Sequence, residues 1–214
     1  MASPVSASAV CNLALDYVKQ ATLGDITSPI STVESIAARH YDITREMVLK
    51  SHPWSFARRR RRIARNSTAP TFGYDDAYDL PNDFLKILSI GTNYTESYAY
   101  DYSIEGNQIL LDNMGAETLN ITYVRDETDV RRFDPMFTKL LAAELAIIFA
   151  ATLIGKPSAT DAARKFRDEI EQKAKAANGQ ENPVKVRRRS RYSGARAQAT
   201  YLSTVTDLKF QEES

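Results

Sequence analysis

The sequence predicts an α+β fold. Its two ends have helical periodicity, its middle has short alternating or apolar runs, and its last stretch has neither. The expected layout is a helical bundle formed by the N- and C-terminal helices, a small central, mostly antiparallel β-sheet, and an extended C-terminal tail. In residue numbers these are an N-terminal helical hairpin over 1–53, a β-rich insertion over 54–133, C-terminal helices completing the bundle over 134–179, and a partner-binding tail over 180–214.

The first helix is expected from about Ser6 to Leu23. Val10, Leu13, Ala14, Tyr17, Val18 and Ala21 recur at helical spacing, and Gly24 suits a C-terminal stop. Ser31 with Glu34 three residues on is a capping box. It opens a second helix whose buried stripe runs Val33, Ile36, Ala37, His40, Tyr41, Thr44, Met47, Val48, until Pro53 ends it. The short connection implies an antiparallel hairpin.

Trp54, Phe56 and Ile63 alternate with polar residues as a strand would. Residues 66–73 have turn composition. Tyr78, Leu80 and Pro81 lead into an apolar run from Phe84 to Ile90, closed by Gly91. Three further strands are expected at 98–104, 108–111 and 118–124, the first two joined by a turn at Glu105, Gly106 and Asn107. Asp134 then caps a helix with Pro135 in its first turn and a broad apolar face up to Gly155. Ser158 with Asp161 reads as another capping box, opening a last helix stopped by Gly179. Beyond Gln180 no period holds. Arg187, Arg188, Arg189 and Arg191 cluster there, followed by scattered Tyr192, Tyr201, Leu202, Val205, Leu208 and Phe210. Such a tail buries too little apolar area to fold alone and suits ordering on a partner.

Composition narrows the classes. Charged residues are 26% and hydrophobic residues 43% of 214, as in soluble globular chains. The formal net charge of +1 excludes a polyanion binder by bulk charge, so any such role needs a local patch. The single cysteine, Cys11, lies on an apolar stripe and reads as a buried thiol in a chain folded in a reducing cytosol. No basic-plus-apolar leader is read at the N-terminus, and the apolar stretch from Leu140 to Ile154 is expected to be too short to span a bilayer comfortably.

No metal, cofactor or catalytic pattern is read. His40 and His52 lack ligand spacing with a second His or with Cys, no phosphate-cradling glycine loop or nucleophile elbow occurs, and the carboxylate pairs Asp75–Asp76 and Asp126–Glu127 are expected to be solvated. The most unusual feature is Arg58, Arg59, Arg60, Arg61 and Arg62 in succession. On an extended segment they project to both faces. They suit either a solvated edge whose like charges block edge-to-edge pairing, or contact with acidic surfaces of neighbouring subunits or with DNA phosphates.

The order of signals carries a resemblance. A helix ending at Leu23–Gly24, a helix headed by Ser31 and leading to Leu49, the Trp54-x-Phe56 step, the Leu80-Pro81-x-Asp83-x-Leu85 segment, the strand with Leu119, Ile121 and Tyr123, and Pro135 before a Leu/Ala-rich helix follow one another. Over roughly residues 7–178 this resembles the head-to-tail adaptors of short-tailed bacteriophages, the tail tubular protein A family. The resemblance implies a non-enzymatic virion protein of the tail or neck, assembled in the host cytoplasm. It would form a ring of typically twelve copies between the portal protein and the tail nozzle protein. Genomic DNA would pass through its channel without sequence recognition, and neither cofactor nor membrane is implied. The family's C-terminal extension commonly reaches into the portal, and Val184 to Phe210 is the matching segment. Competing readings are a head-completion connector of a long-tailed phage, a nucleic-acid-binding module using the arginine clusters, and a small cell-wall hydrolase.

Overall fold

Pro53 and the two short β-layers after it divide the helical from the sheet-forming sequence, and a computed structural model of the chain describes residues 6–91, 101–112 and 116–181. The described residues all belong to the first of two compact units, Met1–Asn182. The fold is α+β. Two helices, α1 (Ala7–Tyr17) and α2 (Thr32–Ser51), precede six strands, β1 (Arg58–Ala64), β2 (Asp76–Asp79), β3 (Phe84–Gly91), β4 (Tyr102–Glu105), β5 (Gln108–Leu111) and β6 (Thr118–Arg125). Helices α3 (Pro135–Phe149) and α4 (Pro157–Glu181) follow.

The strands form two antiparallel three-stranded sheets, ordered β1-β6-β3 and β2-β5-β4. An isolated bridge between Arg65 and Tyr78 links β1 to β2. The period-2 pattern of β6 explains how one strand serves two cores. Leu119, Ile121 and Tyr123 join Ile63, Ile90, Tyr78, Ile109 and Leu111 between the sheets, while Val124 of the opposite face joins the helical core. In the β4–β5 hairpin Gly106 takes φ +58°, which a tight turn between right-twisted strands requires.

The helical core is built on α3. Phe137, Leu140, Leu141, Leu145, Ala146 and Phe149 are all buried, against α1, α2 and α4. Trp54 sits where the layers meet, edge-on to Phe137 with ring centroids 5.3 Å apart. Its indole N–H donates to the Val48 carbonyl at 2.9 Å, which satisfies an end carbonyl of α2. Cys11 is buried on α1, and burial pushes its thiol up to about 12.

Several local signals act as read. Ser31 and Glu34 form the capping box, and Glu34 also accepts the Gly24 and Ile30 amides at 3.0 and 2.7 Å. Asp134 caps α3 through the amides of Met136 and Phe137. α3 continues through a π-helical turn, Ala150–Ile154, to Gly155 at φ +67°.

Other expectations are corrected. The first helix stops at Tyr17, not Leu23. Lys19 at φ 57° takes the left-handed position of a Schellman stop, with Gln20 N–H on Leu15 O at 3.0 Å and Lys19 N–H on Asp16 O at 3.1 Å. The Asn12 amide side chain then holds the Leu23 backbone in both directions, so residues 19–24 turn back along α1. Helices α1 and α2, expected as a hairpin, touch sparingly, and α1 lies mainly on α3. Trp54 and Phe56 flank or lie in a short 3-10 turn, Ser55–Ala57, because the indole is drawn to the end of α2; the strand begins at Arg58. Met47, placed in the buried stripe, is 51% exposed. The final helix begins at Pro157 with the Lys156 carbonyl accepting its first amides, which puts Ser158 inside the first turn. It runs through Gly179 to Glu181. Asn178 is clamped to the Ser55 amide and hydroxyl at 2.8 Å each, and this contact fixes the turn that Gly179 alone weakens. Pro135–Ile154, 20 residues with an 18-residue window of mean hydropathy 1.9, is long and apolar enough to cross a membrane by length and composition, and 56% of that window is buried in the fold.

Candidate interaction surface

The chain leaves α2 at Pro53, is pinned by Trp54, and emerges at the edge of a sheet as five arginines. All of Arg58 to Arg62 are exposed, and inward packing resumes only at Ile63. Registers with β6 fix their faces. Arg59 pairs with Tyr123 and Arg61 with Ile121, on the face that covers the second sheet. Arg58, Arg60 and Arg62 pair with Val124, Thr122 and Asn120 on the other. The guanidinium of Arg59 meets Asp83 at 2.9 Å, whose second oxygen accepts the buried Tyr123 hydroxyl at 2.9 Å. Arg62 donates to the Asn120 side-chain oxygen at 3.1 Å. Two arginines are thus fixed in orientation while their side chains remain in water.

The positive field extends toward the helices. Lys86 donates to the Lys50 carbonyl at 3.3 Å. Burial, and then the charges of Lys175, Lys86 and Arg58, hold the His52 imidazole below its usual range. His52 therefore resists carrying a further positive charge at neutral pH, and its Nε2 lies 2.9 Å from the Asn178 amide nitrogen.

The carboxylate pairs expected in solvent are largely structural. Arg45, 3% exposed, lies in the apolar stripe of α2 with Tyr41, Val48 and Leu49. It pairs with Asp126, donates to the Glu127 carbonyl at 3.0 Å, and reaches Asp42 at 3.4 Å. Glu127 is buried with Arg125, and Arg132 lies 3.7 Å away. Asp76 is buried beside Arg65 at 3.2 Å. Asp76 and Glu127 are buried and Asp126 half-buried because each meets an arginine, from α2 for Asp126, from the residue after β1 for Asp76, and from its own segment for Glu127. Asp75 remains exposed. An arginine inside an apolar stripe was the sequence signal for the buried network. Among the described residues no three His, Cys, Asp or Glu side chains group as a metal site.

Two apolar side chains stand off the buried stripe of α2. Ile43 is 70% and Met47 51% exposed, one helical turn apart. His40, read on an apolar face, is half-buried on the same helix. Phe72 at the tip of the 66–73 loop is 87% exposed. The tail residues Arg187, Arg188, Arg189, Arg191, Tyr192, Tyr201, Leu202, Val205, Leu208 and Phe210 lie outside the described residues. No protein-family model matches this chain, and no curated protein matches its sequence.

Proposed function

We propose that this chain is a ring-forming head-to-tail adaptor of a bacteriophage, joining the portal to the tail nozzle and leaving a channel for the genome. The observation that supports it best is the separation of unlike surfaces on one small subunit. A row of arginines occupies a sheet edge, and Ile43 with Met47 stands uncovered on α2. A subunit with different, non-overlapping patches can meet its neighbour through a heterologous contact, and such contacts close into rings when the rotation permits. In this reading the helices from both ends of the chain form one bundle that seats on the portal. In the same reading the segment after Glu181 is the part that docks on the portal, with its entropy cost offset by contact across the portal surface.

The test mixes the full chain with portal rings and images the product by negative stain. A ring of adaptor density beneath the portal is expected. Changing Leu208→Asp and Phe210→Asp in the full chain should weaken that docking while leaving the melting temperature unchanged. A chain that never joins the portal, and that turns over a substrate as a monomer, overturns the reading.

The exposed arginine run also favours a second reading, a nucleic-acid-binding module. It predicts that the isolated chain binds duplex DNA with affinity falling steeply as salt rises. The adaptor reading predicts little such binding.

A further inference from the structure

A groove lies where three helix ends meet. α1 stops at Tyr17, with Lys19 in the left-handed position at φ 57°, and α3 ends through its π-helical turn at Gly155. On α4, Ala159, Ala162, Ala163 and Phe166 recur at the i, i+3, i+4, i+7 spacing of a buried stripe. The first three are alanines, too short to reach across the gap that the early stop of α1 leaves. The result is an open, mainly apolar cavity of about 510 Å³, in which Ala146, Ala159 and Ala162 lie among Tyr17, Phe166 and Ile154. The Tyr17 and Phe166 rings meet edge-on with centroids 4.8 Å apart, and Phe166 is still 36% exposed. Lys19 is the one charged lining residue among the described residues, and among them it forms no ion pair.

The same chain carries an apolar ridge of matching length. Ile43 and Met47 are 70% and 51% exposed and lie about 6 Å apart along α2. Tyr41 and Arg45, two residues away, turn to the opposite face and are buried. The groove residues Ala159 to Phe166 span about 10 Å of α4. No residue of α2 lines the groove, so the ridge of one copy does not fill its own groove. Asp42 and Glu46 flank the ridge. They share one guanidinium nitrogen of Arg45, at 3.4 and 4.0 Å, and that guanidinium is already paired with Asp126. The flank therefore keeps surplus negative charge, opposite in sign to Lys19. Arg39 and Lys50 continue the stripe about one turn beyond its two ends, outside the length that the groove covers.

We infer that the Ile43–Met47 ridge of one copy seats in the α1–α3–α4 groove of a second copy of this chain, head to tail. This rests on the ring reading and supplies its subunit contact. Three observations select a second copy. Each chain leaves one ridge and one groove in water, and pairing the ridge with the groove removes both apolar surfaces together. The fit is that of a helix in a groove, with anchors one turn apart: the alanines admit a helix close to α4, and Ile43 and the adaptable Met47 side chain reach into the space they leave. Charge sets the orientation, because Asp42 and Glu46 run along the ridge and Lys19 lines the groove. Ridge and groove are different surfaces, so the contact is heterologous, and each copy keeps one of each for the next.

The test measures self-association of the full chain by sedimentation velocity, with substitutions at exposed positions only. The parent should associate as its concentration rises. Ile43→Gln with Met47→Gln removes the ridge and should weaken association about a hundredfold. Ala162→Glu fills the groove with a carboxylate and should do the same, while Lys19→Glu should weaken it about fivefold. Melting temperatures should stay at the parent's value. Mixing the ridge variant with the groove variant should give a one-to-one pair that grows no further, since each supplies the half that the other lacks. Neither misfolded chains nor a two-fold contact give that result. A parent that stays monomeric at every concentration overturns the inference. So does a groove variant that associates like the parent, which leaves a ridge-to-ridge contact, or one that self-associates normally and loses portal docking, which assigns the groove to the portal. Portal docking is scored separately: head-to-tail association by a chain that ignores the portal sinks the adaptor reading alone.

Discussion

The helical layer and the β-layer of this protein hold together in different ways. The helical layer has one continuous apolar core that runs from α1 through Trp54 to α4, with aromatic edges meeting at Phe133 and Phe137. The β-layer has a small core between two three-stranded sheets, centred on Tyr78, Ile109, Leu111 and Tyr123. Its ends are closed by polar contacts, such as Arg59 with Asp83 and Asn66 with Asp79 at 2.9 Å each. The two layers divide the labour. Apolar area, which scales with burial, is concentrated in the helices. Exposed charge, which gives recognition but little stability, lines β1 as a run of one sign and the outer face of α4 as mixed signs.

Substitutions in the two layers should therefore differ in cost. The largest effect is expected at the seam. Trp54→Ala removes a buried indole and its bond to Val48, and should cost about 4 kcal/mol in a denaturant titration. A cost near zero would mean that the seam does not couple the layers. Leu111→Ala, in the smaller core, should cost about 3 kcal/mol. If the β-layer is the weaker unit, amide exchange should accelerate in β2, β4 and β5 before it does in α3. Uniform acceleration would show that the two layers unfold as one.

The entry to α2 gives a pH test. Glu34 accepts amides from Ile30, Gly24 and Ser31, and these hold its carboxyl below the usual range of about 4.5. A carboxyl lowered in the folded state contributes stability that is complete above its unfolded value and disappears as pH falls through the folded value. Acid melts of the parent and of Glu34→Gln should therefore converge as pH drops below about 4.5; melts that stay parallel would contradict this. A smaller gain is expected at the end of α1. Lys19→Gly relieves a left-handed residue carrying a β-carbon and should stabilise the fold by about 1 kcal/mol. Arg59→Ala should be smallest, under about 1 kcal/mol, because its partner contact is exposed to water. A larger loss would move the β-layer's charges from recognition into stability.

Much of the layout was legible from local signals. The α+β class, the Ser31–Glu34 capping box, the Asp134–Pro135 start, the Gly155 stop, the strands at 84–91 and 108–111, and the exposed extended arginine run each follow from residues within about one turn or one strand of each other. The errors have a common origin. Met47 repeats at the buried spacing of α2, but among the described residues no element covers it, and it is 51% exposed. Asp76, Asp126 and Glu127 look like loop acids until Arg65, Arg45 and Arg125 arrive.

The amino-acid order by itself determined where helices and strands start, which stretches are apolar, and that positive charge is concentrated at 58–62, because caps, glycines and periodicity act over a few covalent bonds. Only the tertiary structure decided that β1 is an outer strand beside β6 and that α2 leaves Ile43 uncovered. Those facts depend on which distant segments pair. Distant pairing is selected by the free energy of the whole chain, through burial and charge matching between residues many tens of positions apart.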